Sequence, residues 1–162
     1  MLGGKKRNCK VLNRHNTKHP NFQIKDAITM SDKKTSLSQE SLDKGHEVLT
    51  RVYGEQAADY IVSEAGTPYT DETIGKLFGE VWDRPGLSIR DRRLLVLGAT
   101  AMLGRADLVE FQVIGGLQGG DFDKEQLDEA VFQLAYYCGW GNASALTRGV
   151  SSALEKVSGK SE

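Results

Sequence analysis

The chain has 162 residues, 39% hydrophobic and 27% charged, which is long enough to bury one sizeable core but short for two independent ones. No apolar run approaches the roughly 20 residues that cross a bilayer, and the basic N-terminus lacks the apolar stretch of a secretory signal, so membrane insertion and export are not expected. The two cysteines, Cys9 in a polar leader and Cys138 in an apolar helix, lie far apart, which argues against a disulfide framework and fits a reducing cytoplasm.

The net charge of -1 hides an asymmetry: residues 1–29 hold seven Lys/Arg against one Asp, and the rest of the chain 14 Lys/Arg against 21 Asp/Glu. A basic arm can bind nucleic acid, but this one has Phe22 as its one aromatic and no base-stacking surface, so no nucleic-acid partner is expected. Met30-Ser31-Asp32 opens a Ser-rich segment of different composition, which makes Met30 the expected natural start and residues 1–35 a disordered basic leader. His15 and His19 fall inside that leader and are not expected to ligate metal.

From Ser36 onward apolar residues recur at helical spacing, and no stretch alternates with period two long enough for a strand, so the fold class is all-α over 36–157, with a frayed tail at 158–162. The first helix starts near Ser36 or Ser38, either a competent N-cap, and carries Leu42, Leu49, Val52 and Tyr53 on one stripe before Gly54. A second runs over about 55–65 and is closed by Gly66 and Pro68. The third begins at Thr70 or Asp71 and places Ile74, Leu77, Phe78, Val81 and Trp82 on one amphipathic face.

Asp83-Arg84-Pro85-Gly86 breaks the chain, and Ser88 with Asp91 three residues later makes a capping-box-like entry to the next helix. Residues 94–103 are apolar or small almost throughout, the pattern of a helix covered on nearly all sides, and a chain of this length has little material to cover it. Neighbouring subunits are therefore expected to help. After Gly104 a helix spans about 106–118, and Asp123 with Gln126 caps the next, whose Leu127, Ala130, Val131, Leu134, Ala135 and Cys138 share a face. Gly139-Trp140-Gly141 interrupts it, and Asn142 caps a last helix with Leu146, Val150, Ala153, Leu154 and Val157 inward.

Chemistry is sparse. The glycines at 115, 116, 119 and 120 follow a helix rather than a strand, and no Gly-Lys-Ser/Thr closes a phosphate loop, so nucleotide binding is discarded. The body offers one histidine, His46, and one cysteine, too few for a metal site, and no Ser sits on a nucleophile elbow. What remains is a set of polar residues in apolar company: Trp82 and Arg84 at the break, Arg92 opening the apolar helix, Glu110 and Gln112 in the next, and 136–140.

The run Phe78-Gly79-Glu80-Val81-Trp82-Asp83-Arg84-Pro85-Gly86-Leu87 resembles the segment preceding the core of 4-carboxymuconolactone decarboxylases. Arg92, then Gly115-Gly116-Leu117-Gln118-Gly119-Gly120, then Glu125 through Tyr137-Cys138-Gly139-Trp140 resemble later elements of that family in order and spacing, as does Gly45-His46-Glu47-Val48 to Gly54-Glu55. The likeness covers about 42–157, and the pairing of Trp-x-Arg-Pro-Gly-Leu with Tyr-Cys-Gly-Trp is fairly specific to this branch of the alkylhydroperoxidase D-like superfamily.

The resemblance implies an all-α bundle that assembles into a ring, a homo-trimer or homo-hexamer, with pockets near subunit contacts. It implies a cytoplasmic, cofactor-free decarboxylase of aromatic catabolism acting on a small carboxylated lactone, 4-carboxymuconolactone or a related carboxylic acid. The related peroxidase branch uses a Cys-x-x-Cys pair; here those places hold Arg105 and Leu108, neither able to form a thiolate. Cys138 alone leaves an atypical peroxidase as a minor alternative. Gln112 stands where the family has a histidine, and an amide cannot exchange a proton near neutral pH. That departure supports a second alternative, a catalytically silent oligomeric scaffold.

Decarboxylation needs a carboxylate anchor, donors for the developing enolate and a proton source. The candidates are Arg84 and Arg92 for the anchor, because guanidinium pairs with carboxylate in a bidentate fork, and Gln112 as amide donor. Glu110 or Tyr137 would supply the proton, Cys138 completes the catalytic set, and Trp82 and Trp140 wall the pocket.

Overall fold

Ser38, in extended backbone, accepts the Ser41 N–H and opens α1 (Gln39–Tyr53), which Gly54 ends with φ +85°. The computed structural model describes residues 34–159, and the expectations for the leader, with Cys9, His15, His19 and Met30, lie outside them. After α1 come α2 (Glu55–Ser63), α3 (Pro68–Asp71), a π-helix (Glu72–Trp82), α4 (Ile89–Met102), α5 (Ala106–Gln118), α6 (Lys124–Cys138) and α7 (Trp140–Val157). Among the described residues there is no strand, and no helix is long and apolar enough to cross a membrane.

The helices enclose two apolar cores. One gathers Val48, Leu49, Val52, Ala58, Ile74, Phe78 and Trp82 from α1, α2 and the π-helix; the other gathers Leu97, Ala101, Val109, Val113, Phe122, Leu127, Leu146, Val150 and Ala153 from α4 to α7. Each Val, Leu, Ile or Phe side chain buried in this way contributes on the order of 1.5–3 kcal/mol, each Ala well under that.

The stretch expected as one α-helix from Thr70 or Asp71 divides. Pro68 does not stop α2 from a distance but starts α3, where Thr67 and Thr70 form a capping box. The chain then widens into the π-helix, whose i→i+5 hydrogen bonds rotate its face. Ile74, Phe78 and Trp82, four apart, remain buried, while Leu77 and Val81, expected on the same stripe, are 42% and 39% exposed. The crossing with α1 is close: a Cβ on Gly45 would lie 2.5 Å from Ile74 Cγ2 and 2.6 Å from Ile74 O. Asp71 pins the start of the described chain here, accepting from Ser36 N (2.8 Å), Ser36 Oγ (2.7 Å), Thr35 Oγ1 (2.9 Å) and Gly66 N (2.8 Å), bonds that hold its carboxyl down at about 2.

Ser88 caps α4 through Asp91 N, and Asp123 and Gln126 form the capping box of α6, as their spacing predicts. Asn142 does not cap the last helix. Gly139, at φ +79°, ends α6 and begins α7 in one residue, leaving no linker for a cap, and Asn142 Nδ2 instead donates to Cys138 O (3.1 Å) and Met102 O (3.2 Å). The apolar helix α4 is covered within one chain on one side only: Leu97 and Ala101 are buried, but Leu95, Met102 and Leu103 are 64%, 56% and 71% exposed.

Candidate functional site

Four residues of α4 fall on its inward face at helical spacing: Arg93, Leu97, Thr100 and Ala101. The first is a guanidinium with no exposed surface. Such a charge is tolerated inside only when each donor finds an acceptor, and all three nitrogens do. Nε donates to Asp121 Oδ2 (2.8 Å), Nη2 to Val52 O (2.7 Å), and Nη1 to both Gln112 O and Gln112 Oε1 (3.1 Å each). The room comes from two glycines of α5. A Cβ at Gly115 would meet Val52 O at 2.3 Å and Arg93 Nη1 at 3.1 Å; one at Gly116 would meet Phe122 Cζ at 2.3 Å and Arg93 Cδ at 2.9 Å.

Arg93 also decides how Gln112 sits. A guanidinium can only donate, so the amide must turn its oxygen to Arg93 and its Nε2 the other way, where it donates to Tyr53 Oη at 2.5 Å. Burial pushes the Tyr53 phenol up to about 12, against the opposing pull of the Arg93 charge and the Gln112 bond. Gln112 is buried, and both ends of its amide are engaged inside the protein.

Tyr53 belongs at the same time to an aromatic row. Its ring centroid lies 4.4 Å from that of Phe111 and 5.7 Å from that of Phe78, edge-on; Phe78 in turn stacks on Trp82 at 5.8 Å. The row runs from Trp82, two residues before Arg84, to Phe111, the neighbour of Gln112, and Phe111 is 43% exposed. Trp82 itself is buried in the first core.

Two residues beyond Trp82, the backbone of Arg84 meets the side chain of Arg92. Arg92 Nη2 donates to the carbonyl of Arg84 (2.7 Å), and Arg92 Nε is buried with no hydrogen-bond partner among the described residues. The Arg84 side chain is exposed and makes no ion pair among the described residues.

The other candidates lie elsewhere on the chain. Glu110 pairs with Lys156 of α7, and that bond, helped by Ser152, holds its carboxyl below the usual range, so near neutrality it offers acceptors rather than a proton. Cys138 is partly buried and packs on the second core. Tyr137 and Trp140 are largely exposed, and Trp140 helps line a groove of about 310 Å³ between α6 and α7, with Asp128, Val131, Phe132 and Thr147. Among the described residues, no three His, Cys, Asp or Glu side chains converge.

Sequence reasoning singled out Gln112 but not its partners Arg93, Tyr53 and Asp121. The available signal was periodicity: an arginine in step with Leu97 and Ala101 lies on a buried stripe, and Gly115-Gly116 on the next helix leaves space for it.

Two comparisons bear on this arrangement. The carboxymuconolactone decarboxylase family matches residues 69–150, a stretch holding every candidate named in the sequence. The nitrosuccinic acid decarboxylase of Metarhizium robertsii is 33% identical over 109 residues, covering 64% of this chain and 73% of that protein.

Proposed function

The chain belongs to the carboxymuconolactone decarboxylase family, and from that premise we propose that it is a cofactor-free decarboxylase of a small carboxylic acid. The substrate is 4-carboxymuconolactone, met in aromatic catabolism, or an acid with the same electronic feature. Nitrosuccinic acid, named for the relative, has that feature. In each, the electron pair left by departing CO2 can be delocalised onto oxygen, of a conjugated carbonyl in one and of a nitro group in the other. The observation that carries the reading is the decarboxylase relative aligned over most of its own length.

Arg92, its guanidinium seated through Nη2 on the Arg84 carbonyl and otherwise unpaired among the described residues, is the anchor for the substrate carboxylate, and the exposed Arg84 completes a cationic corner. The open apolar face of α4, with Leu95, Met102 and Leu103, is covered by further copies of the chain in a cytoplasmic homo-trimer or homo-hexamer. That assembly brings Tyr137, Cys138 and Trp140 towards a neighbouring subunit.

A second reading, an oligomeric scaffold that has lost the reaction, is favoured by one observation: Gln112, in the histidine's place, is tied at both ends to Arg93 and Tyr53. Purified protein and a Gln112→His variant are incubated with 4-carboxymuconolactone and with nitrosuccinic acid, following CO2 release and ultraviolet absorbance. Release of CO2 by the wild type supports the enzyme. Release by the variant alone, or by neither while light scattering finds an intact oligomer, assigns the scaffold role instead.

A further inference from the structure

We propose that Tyr53 is a catalytic residue of this site, its phenolic O–H donating to the substrate oxygen on which negative charge gathers as CO2 leaves. The inference rests on the decarboxylase reading above. Gln112 and Arg93 then act as positioning residues behind it.

Hydrogen-bond direction carries the argument. Arg93 has donors only and is fixed by Asp121 and Val52 O, so Gln112 Oε1 must face it. Gln112 Nε2 consequently donates to Tyr53, and Tyr53 Oη is an acceptor in that bond. The hydroxyl hydrogen is thereby directed away from Gln112 and has no acceptor among the described residues. A partly buried hydroxyl held in one orientation with its proton unspent is the arrangement a preorganised donor requires. Its ring lies between Phe78 and the half-exposed Phe111, in the row that leads back to Trp82 and the Arg84–Arg92 corner. Phe78 and Trp82 are buried, so the open edge of the row is the half-exposed Phe111, next to Gln112, and a substrate reaching that edge would present its carbonyl or nitro oxygens to Tyr53.

In the reaction, the bond between the carboxylate carbon and its neighbour breaks, and its electron pair moves into the adjacent carbonyl or nitro group. Tyr53 hydrogen-bonds the resulting enolate or nitronate oxygen without giving up its proton, in keeping with a phenol that burial holds un-ionised. CO2 leaves, and the carbon is protonated by solvent water, whose hydroxide is neutralised by the bulk. The role differs from that of a histidine, which could itself exchange the proton, and it explains how an amide at position 112 is compatible with turnover.

The test measures steady-state decarboxylation of nitrosuccinic acid and 4-carboxymuconolactone by wild type, Tyr53→Phe and Gln112→Leu. Tyr53→Phe keeps the ring between Phe78 and Phe111; it should lower kcat roughly 100- to 1000-fold with KM within about twofold. Gln112→Leu keeps the hydroxyl but frees its orientation, and should lower kcat by a smaller factor, also without raising KM. Propanoate-3-nitronate, the anion nitrosuccinic acid leaves on losing CO2, should bind Tyr53→Phe at least tenfold more weakly than wild type, with succinate binding unchanged. Turnover by the wild type with Tyr53→Phe unimpaired, or equal weakening of nitronate and succinate, overturns the assignment and leaves the decarboxylase reading standing. Absence of turnover by the wild type on both acids overturns that reading and this assignment together.

Discussion

Arg92 and Arg93 are consecutive on α4 and chemically identical, yet one sits at the outer corner with Arg84 and the other lies wholly inside between two apolar cores. One helical step of roughly a quarter turn separates the two environments. At Arg93 all three nitrogens are satisfied by the protein itself, so the residue has no capacity left for a ligand. At Arg92 one nitrogen rests on a carbonyl and another is unpartnered. The difference shows that exposure alone does not separate a structural arginine from a binding one; the count of unspent donors does.

The largest effect should come from breaking the inner region. Arg93→Met removes the charge but leaves Asp121, Val52 O and the Gln112 oxygens facing each other, and loss of one partner of a buried pair costs about 3–5 kcal/mol; urea unfolding followed by circular dichroism measures it. Gln112→Leu should cost less, about 1–3 kcal/mol, because it strands Arg93 Nη1 and the Tyr53 hydroxyl partially rather than a whole charge. Comparing the two variants separately and combined should give a non-additive sum, since they share one network.

Alkali probes the same region without mutation. Tyr53 has its pKa raised to about 12 in the fold against roughly 10 for an unfolded tyrosine. Between those values the folded chain holds a proton that the unfolded chain has lost, so stability is intact below about pH 10 and falls as pH rises through 12. A spectrophotometric titration should show a tyrosine step near pH 12 that Tyr53→Phe lacks, and a folded wild type without that step would place Tyr53 in a wetter environment than described. The smallest stability effect belongs to the outer corner. Arg92→Ala should change unfolding free energy by no more than about 0.5 kcal/mol, while raising KM for the acid substrate roughly tenfold or more through loss of a charge-assisted bond. A large stability loss with KM unmoved would erase the distinction between the two arginines.

Much of the helical layout was legible because local rules set it. Ser38, Ser88 and Asp123 cap helices where their spacing predicts, and Gly54 and Gly139 end them. The π-helix was not legible, because Leu77 and Val81 fit an α-helical stripe as well as Ile74, Phe78 and Trp82 do, and only the packed chain turns the first two outward. Within the site, Gln112 was visible as a polar residue on an apolar helix. Its link to Tyr53 spans 59 positions, and no periodicity within one helix reports a bond of that range. Tyr53 read as a core residue, which its ring is; the hydroxyl's partner belongs to tertiary structure.

The reach of Arg93 also bears on how the molecule folds. Its acceptors come from the end of α1, the middle of α5 and Asp121 beyond it, so Asp121 neutralises the guanidinium from its own half of the chain while Nη2 is satisfied only once α1 is in place. A second core assembled without α1 would leave Arg93 Nη2 without its Val52 acceptor. That partial structure is thereby penalised relative to the complete one by a buried donor left unsatisfied. The two apolar cores are in this way coupled through the buried Arg93–Val52 bond, which favours their melting together.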